Sequence, residues 1–215
     1  MGYEGLSMWR EYWNKPKEGY PSKAEQLEKE EWKRKGKLED EKFIVSQVPK
    51  TQILVDVGCG SARFQPHLKD KTAWYIGCDF SREMLRLAKQ KGDIDLVRCD
   101  AERLPFREFK GVAICIDVLR HLPSLKGYGV IRELLRTAEI IMFNITEADK
   151  AQLYGDKHHR NPNQIADHPF TLQEMRAVLT DCCKSRVLNY VRMPPQPPYK
   201  TWDRLLITVD KSTDK

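Results

Sequence analysis

The stretch that decides the fold of this chain is ILVDVGCGSAR, residues 53–63. Its first half is an apolar run of strand length, and Gly58 and Gly60 follow that run at once. Glycine lets a backbone turn tightly and approach a ligand where a Cβ atom would collide. A helix is expected near Arg63–Leu68, with its first amide groups open to a negatively charged ligand group. A strand, a glycine turn and a helix predict half of a βαβ unit, although a lone G-x-G pair is weak evidence for a ligand site.

Beyond this turn, short apolar runs alternate with helical stretches, which predicts βαβ units and a buried parallel sheet. The last two apolar runs have no helix between them, so they predict an antiparallel hairpin at a sheet edge. The predicted strands are Ile53–Val57, Ala73–Cys78, Asp95–Arg98, Val112–Ile116, Ile140–Asn144, Val187–Arg192 and Leu205–Val209. The predicted helices lie near Arg63–Leu68, Ser81–Lys91, Gly129–Thr137 and Thr171–Leu179.

The two flanking regions differ from this pattern. Residues 1–50 are rich in charge and aromatic side chains and predict a helical N-terminal extension or lid, with Gly36 expected to interrupt its helix. Trp9, Tyr12 and Trp13 have helical spacing and either pack as a cluster or cover a ligand. Residues 147–168 are polar and without periodicity, and they predict an insertion at an acceptor site within a domain over residues 51–215.

Composition bounds the class of protein. A length of 215 residues with 40% hydrophobic and 32% charged residues predicts one packed domain. No apolar run is long enough for a bilayer and no signal-like segment begins the chain, so we expect no membrane partner and a cytoplasmic location. The six cysteines have no metal-ligand spacing, and we expect reduced thiols and no metal site. The net charge of +6 is spread along the chain, so it permits nucleic-acid binding without indicating it.

Acidic residues follow the predicted strands at their carboxyl ends. Asp79 ends the second strand, Asp100 follows the third, and Asp117 follows the fourth. In an open α/β sheet these ends meet at one crevice, where ligands bind. A carboxylate at the end of the second strand is suited to hydrogen-bond ribose hydroxyls, and Asp79 also stands where it would cap the next helix.

Four ordered segments, Asp56–Gly60, Gly77–Phe80, Cys99–Glu102 and Ile116–Pro123, resemble the successive motifs of class I S-adenosylmethionine-dependent methyltransferases, especially the UbiE-like branch. The resemblance covers roughly residues 50–145. It implies a Rossmann-like, doubly wound α/β sheet of seven mostly parallel strands that ends in the antiparallel hairpin. It also implies methyl transfer, with S-adenosylmethionine as the cofactor.

The resemblance also implies which residues bind the cofactor. The loop from Gly58 to Gly60 would hold the methionine part, Asp79 the ribose, and Asp100 the adenine side, while Ile116–Val118 would floor the cleft beneath the sulfonium. The full set of expected cofactor residues is Asp56, Gly58, Cys59, Gly60, Arg63, Asp79, Phe80, Asp100, Ala101, Glu102, Ile116, Asp117 and Val118. Arg63 either approaches the cofactor carboxylate or is a surface helix residue.

Acceptor chemistry is less constrained by the sequence. His121, just past the fourth strand, is the candidate general base, because imidazole exchanges protons near neutral pH; the alternative is a histidine that packs in the loop. Tyr154, His158 and His159 are candidate acceptor contacts. A small metabolite is the expected acceptor, with a tRNA base as the alternative because Lys157–Asn163 would meet phosphates.

Two further classes stay open. A nicotinamide dehydrogenase would share the first strand and the acidic residue that follows it in the motif. Its dinucleotide-binding motif, however, has a third glycine at the position that Arg63 occupies here. A non-catalytic cofactor-binding protein would keep the glycines and Asp79 without an acceptor pocket. The sequence leaves the oligomeric state undetermined.

Overall fold

A computed structural model describes residues 31–122, 124–146, 172–182, 187–194 and 204–212. Seven strands alternate with helices along these ranges. The strands are β1 (Thr51–Val57), β2 (Thr72–Asp79), β3 (Asp95–Arg98), β4 (Phe109–Cys115), β5 (Ala138–Thr146), β6 (Val187–Arg192) and β7 (Arg204–Asp210). The helices are α1 (Glu31–Gln47), α2 (Gln65–Leu68), α3 (Arg82–Lys89), α4 (Ser124–Thr137) and α5 (Leu172–Cys182), with a 3₁₀ turn at Leu119–His121.

All seven strands form one sheet in the order β3-β2-β1-β4-β5-β7-β6. Strands β1 to β5 pair in parallel, whereas β7 runs antiparallel to both β5 and β6. From β1 the chain adds β2 and β3 on one side, and it then crosses back to add β4 and β5 on the other side of β1. The predicted Rossmann-like sheet with a C-terminal antiparallel hairpin is confirmed. The carboxyl ends of β1 to β5 lie at one edge, where we expected the ligand site.

Apolar side chains fill both faces of the sheet, which is why its central strands read as nearly continuous hydrophobic runs. On one face, Val55 and Phe143 pack in a cluster with Leu134 of α4 and Met175 of α5. On the other face, a second cluster joins strand residues to α1 and α2. Its buried members are Ile44, Val48, Leu54, Phe64, Leu68, Val112, Ile114, Ile116, Met142, Met193 and Leu206.

Two helix predictions were wrong in detail. Helix α1 continues through Gly36, because a glycine costs a helix interior only about 1 kcal/mol relative to alanine and good helix-forming residues flank it. The helix after the glycine loop begins at Gln65 rather than Arg63 and has only 4 residues, with a proline in its first turn. None of the helices within the described ranges is long and apolar enough to cross a membrane.

Helix α1 is fastened to the sheet by a buried ion pair. Arg204, the first residue of β7, is 2% exposed. Its guanidinium donates to one carboxylate oxygen of Asp40 at 2.9 Å and lies 2.7 Å from the other in an ion pair. Arg204 also donates to the carbonyl oxygen of Pro194 at 3.0 Å. A bidentate pair fixes orientation as well as distance, so this contact sets where α1 lies across the sheet.

Candidate functional site

The loop after β1 is tied to the end of β2 by its own backbone. The amides of Gly58 and Cys59 both donate to the carbonyl oxygen of Cys78, at 2.7 and 3.0 Å. The amide of Gly60 donates to a carboxylate oxygen of Asp79 at 3.0 Å. Gly58, Gly60 and Ala62 all have positive φ, of 74°, 55° and 55°. The predicted glycine turn is therefore a loop with a positive φ at every second residue, and its amides are hydrogen-bonded to the end of β2.

Gly58 also allows the loops after β1 and β4 to touch. A Cβ atom placed on Gly58 would lie 2.3 Å from a methyl carbon of Val118, a distance at which atoms overlap. Val118 lies two residues beyond Ile116, in the segment predicted to floor the cleft. The tertiary structure thus brings together two motifs that lie far apart in the sequence.

Helix α2 does not provide the anion site that the sequence suggested. With 4 residues it is a single turn, and the amide of Gln65 is taken by the carbonyl oxygen of Ala62 at 3.3 Å. The expectation of open amide groups at this helix start was wrong, because the chain first makes a tight turn through residues 59–64.

Asp79 is 9% exposed and lies between the glycine loop and helix α3. One oxygen accepts from the Gly60 amide and the other from the Ser81 amide, at 3.0 and 2.8 Å. Helix α3 itself is capped by the Ser81 hydroxyl, which accepts from the Met84 amide at 3.3 Å. Burial raises the pKa of Asp79, and these amide hydrogen bonds oppose the rise. Each carboxylate oxygen has two lone pairs, so hydrogen bonds from ligand hydroxyls can still be accepted.

Asp56 is a second buried carboxylate at this edge, 2% exposed. The Tyr75 hydroxyl donates to it at 2.5 Å. Burial raises the pKa of Asp56 to about 6, although the Tyr75 hydrogen bond and the Arg63 charge lower it. The neighbouring Cys59 thiol has a raised pKa, chiefly from burial, and it stays protonated. The buried acids give the cleft negative potential, which suits a cationic ligand.

The third-strand loop is organised by Asp100, whose carboxylate accepts from the Glu102 amide at 3.1 Å. Ala101 and Phe80, also expected at the cofactor, are half-buried. Glu102 turns toward α4, where it pairs with Lys126. Its carboxylate also packs against Gly129. These contacts join the Glu102 side chain to helix α4.

Arg63 is not a simple surface residue. Its guanidinium donates to Asp117 at 2.7 Å, lies 3.8 Å from the Glu41 carboxylate of α1, and stacks over the Phe64 ring at 4.7 Å. Burial alone would raise the pKa of Asp117, but Arg63, with Arg120, Arg204 and Asn144, holds that pKa well below its usual range. Asp117 is thus a fixed anion rather than a proton acceptor.

Sequence reasoning missed Asn144, Asp40 and Glu41. Asn144 is 3% exposed in β5, and its amide group makes two hydrogen bonds with Asp117, at 2.6 and 2.9 Å. An asparagine inside an apolar strand is itself a signal, because a buried amide requires partners. Asp40 and Glu41 lie in a dense charge run, which by itself indicates only a solvated helix face.

His121 ends the 3₁₀ turn after β4, half-buried, with its backbone amide donating to the Val118 carbonyl oxygen at 2.9 Å. It therefore lies at the same sheet edge as the acids. Tyr154, His158, His159 and the aromatic residues Trp9, Tyr12 and Trp13 lie outside the described residues. Over the ranges that are described, no three His, Cys, Asp or Glu side chains are arranged to hold a metal ion.

In a comparison with protein families, residues 54–139 match the family described as a methyltransferase domain. The tRNA (carboxymethyluridine(34)-5-O)-methyltransferase of Arabidopsis thaliana is 33% identical over 98 residues, 45% of this chain and 24% of that protein. A probable 18S rRNA (guanine-N(7))-methyltransferase of Dictyostelium discoideum is 30% identical over 126 residues, 54% of this chain and 44% of that protein. The chain thus spans less than half the length of these curated relatives.

Solved structures share the fold. A Haloferax volcanii protein described as a methyltransferase in complex with the Trm112 methyltransferase activator has a TM-score of 0.65 at 15% identity, covering 87% of this chain and 93% of that one. Magnesium protoporphyrin IX methyltransferase of Synechocystis PCC 6803, with bound S-adenosylhomocysteine, also has a TM-score of 0.65, at 19% identity, covering 96% and 94%. At these identities the likeness shows the fold alone.

The raised pKa of Asp56 generates a prediction about stability. The folded protein holds this proton more tightly than the unfolded chain, so the free energy of unfolding should fall as pH rises from the unfolded pKa toward about 6. The asparagine side chain of the Asp56→Asn variant has no ionisable group, so it cannot contribute to this pH dependence. Relative to the native protein, the variant should gain about 2 kcal/mol of stability between about pH 4.5 and about pH 7.5.

Urea unfolding at a series of pH values measures this difference. Asp93→Asn, at a fully exposed position, is the matched control and should keep the native pH dependence. If the curves for Asp56→Asn and the native protein run parallel through this range, Asp56 does not carry a raised pKa.

Proposed function

We propose that this chain transfers a methyl group from S-adenosylmethionine to RNA, because residues 54–139 match a methyltransferase domain and the chain shares its fold with methyltransferases. The observation that supports the cofactor site best is the closure of the β1 and β4 loops at Gly58 and Val118 beside two buried acids. The RNA acceptor is supported by two curated relatives, at 33% and 30% identity, that are named as RNA methyltransferases.

The described residues fit S-adenosylmethionine. The cofactor carries a cationic sulfonium and an ammonium group, and Asp56 and Asp79 supply negative charge at the edge where the cofactor is proposed to lie. In this proposal Asp79 accepts hydrogen bonds from the ribose hydroxyls. The backbone from Gly58 to Gly60 approaches the methionine part, and Ile116, Asp117 and Val118 line the cleft beneath the sulfonium. Asp100 and Ala101 flank the adenine.

When bound, the cofactor supplies a methyl group on a good leaving group, which requires little activation. The residues of the chain then contribute alignment and exclusion of water. In this proposal His121 takes the proton of the acceptor atom at its imidazole nitrogen. Asp117 cannot share that role, since its partners, Arg63 first among them, hold its pKa well below the usual range.

The proposed RNA acceptor reverses the preference that the sequence gave, which placed a small metabolite before a tRNA base. A small metabolite was the first expectation, and nothing in the described residues excludes it. The two RNA-acting relatives favour RNA, and the net charge of +6 is compatible with a polyanionic partner. The dehydrogenase alternative loses support, because the position that it would fill with a third glycine holds Arg63 in an ion pair.

The proposed cofactor site predicts the effect of Asp79→Ala. Losing charge-assisted hydrogen bonds to the ribose should weaken S-adenosylhomocysteine binding by at least about tenfold, measured by titration calorimetry. Asp79→Asn keeps one oxygen acceptor and should bind with intermediate affinity. Asp93→Ala removes an exposed carboxylate and should bind normally. Native affinity in Asp79→Ala would remove Asp79 from the site.

The RNA acceptor predicts methyl transfer from radiolabelled cofactor into unfractionated transfer or ribosomal RNA, as label that ribonuclease releases. Binding should weaken with salt, and the double variant Lys157→Ala with Arg160→Ala should lower the salt slope by about one unit per lost phosphate contact. These two residues lie outside the described ranges. Label that enters only small molecules of a cell extract would instead identify a metabolite acceptor.

The proposed base predicts a pH effect. His121→Ala should lower turnover by about 10²–10⁴-fold while cofactor affinity barely changes. In the native protein the rate should rise with pH as the imidazole loses its proton, and the variant should lose this dependence. A native rate in the variant would mean that alignment suffices or that another group accepts the proton.

A further inference from the structure

Asp117 has a backbone conformation that residues other than glycine rarely adopt. Its φ is 59°, in the left-handed region, where a Cβ atom crowds the neighbouring carbonyl oxygen. Such strain persists only where surrounding contacts hold it, and it concentrates at functional sites. Asp117 follows β4 directly after Ile116 and precedes Val118.

Asn144 is the side chain that holds this backbone. The pairing of β4 with β5 ends at Cys115 and Phe143, one residue before Asn144. The Asn144 side-chain oxygen then accepts from the Asp117 amide at 2.6 Å, and its side-chain nitrogen donates to the Asp117 carboxylate at 2.9 Å. The side-chain amide therefore continues the connection between the strands after the backbone ladder has ended.

Arg63 fixes Asp117 from the other side. It donates to the second carboxylate oxygen at 2.7 Å, so one oxygen is bound from β5 and the other from the β1 loop. The Asp117 side chain cannot rotate without breaking one of these bonds. Rotation of the peptide would break the Asn144 bond to the Asp117 amide.

The direction of this peptide determines where Val118 lies. Val118 is the next residue, and it fills the space in which a Cβ atom on Gly58 would lie, with overlap at 2.3 Å. A change in the backbone at Asp117 would carry Val118 away from the glycine loop and open the contact between the β1 and β4 loops.

We propose that Asn144 is a positioning residue for methyl transfer, which holds the Asp117 peptide so that Ile116–Val118 form a rigid wall at the sulfonium end of the cofactor. This role rests on the proposed function, because it requires the cofactor cleft to lie between the Gly58 loop and these residues. Asn144 acts through Asp117 and does not touch the acceptor.

Only an amide supplies both contacts at this position. Asparagine presents an acceptor and a donor on one short side chain. Aspartate has the same shape but lacks the donor, and it would place a second carboxylate against Asp117 in a buried site. Alanine removes both hydrogen bonds. Asn144→Asp and Asn144→Ala therefore test the amide group in two different ways.

Calorimetry with S-adenosylmethionine and S-adenosylhomocysteine tests the proposal without any acceptor. The two ligands differ only at the sulfur, so a displaced wall should change their affinity ratio. In Asn144→Ala, which adds no charge, the affinity for S-adenosylmethionine should fall by about tenfold more than that for S-adenosylhomocysteine. Asn189→Asp, at an exposed position of β6, is the matched control and should keep the native ratio.

Turnover and melting temperature separate positioning from stability. At saturating cofactor, kcat should fall by about 10²-fold, the cost of a small misplacement of the reacting groups. In an Asp117→Gly background the left-handed φ carries no strain. In that background Asn144→Ala should lower kcat by less than about a further threefold. In a double-mutant cycle, two residues that act through one contact give losses that do not add.

Several outcomes overturn the proposal. A native affinity ratio in Asn144→Ala, with only a lowered melting temperature, would make Asn144 a structural residue. Fully additive losses of kcat in the Asp117→Gly background would also overturn it. If the native protein methylates no RNA while the affinity ratio still shifts in Asn144→Ala, the acceptor assignment fails and the positioning role stands.

Discussion

Three consecutive backbone amides, those of Gly58, Cys59 and Gly60, donate to the last two residues of β2. The other features of the carboxyl edge depend on this junction. It fixes the loop after β1 in a conformation with positive φ at Gly58 and Gly60, which favours glycine, and it holds the Asp79 carboxylate against the loop. With the loop held there, Val118 can close against Gly58, and the ends of β1, β2 and β4 form one site.

The aspartates at this edge illustrate how environment divides one residue type into different roles. Asp56 is buried against a tyrosine hydroxyl, and its pKa rises to about 6. Asp117 is only partly buried, and the Arg63 guanidinium holds its pKa well below the usual range. Asp56 thus carries a charge that costs stability near neutral pH, whereas Asp117 carries a paired charge that organises backbone.

Helix α1 belongs to the same system. Asp40 is held by Arg204 from β7, while the adjacent Glu41 faces Arg63, which holds Asp117. Two neighbouring acids of one helix therefore reach the last strand and the glycine loop. That the N-terminal region covers the site stays a prediction, as do the domain boundaries, because residues 1–30 and 147–171 lie outside the described ranges. The ion pairs connect α1 to the carboxyl edge of the sheet and to β7.

The sequence by itself determined the strands, the parallel character of their sheet, the C-terminal hairpin and the acids at the strand ends. Apolar periodicity and glycine turns are local signals, and a buried sheet imposes them on every strand. It also pointed to the methyltransferase family through four ordered motifs. Only the tertiary structure decided the partners of Arg63, Asn144 and Arg204, since these contacts join residues 54, 27 and 164 positions apart. No local sequence pattern predicts which distant side chain will be the partner of a given charged or amide group. These contacts depend on how β1, β4, β5 and β7 are placed side by side, and they form only when the sheet assembles with its helices.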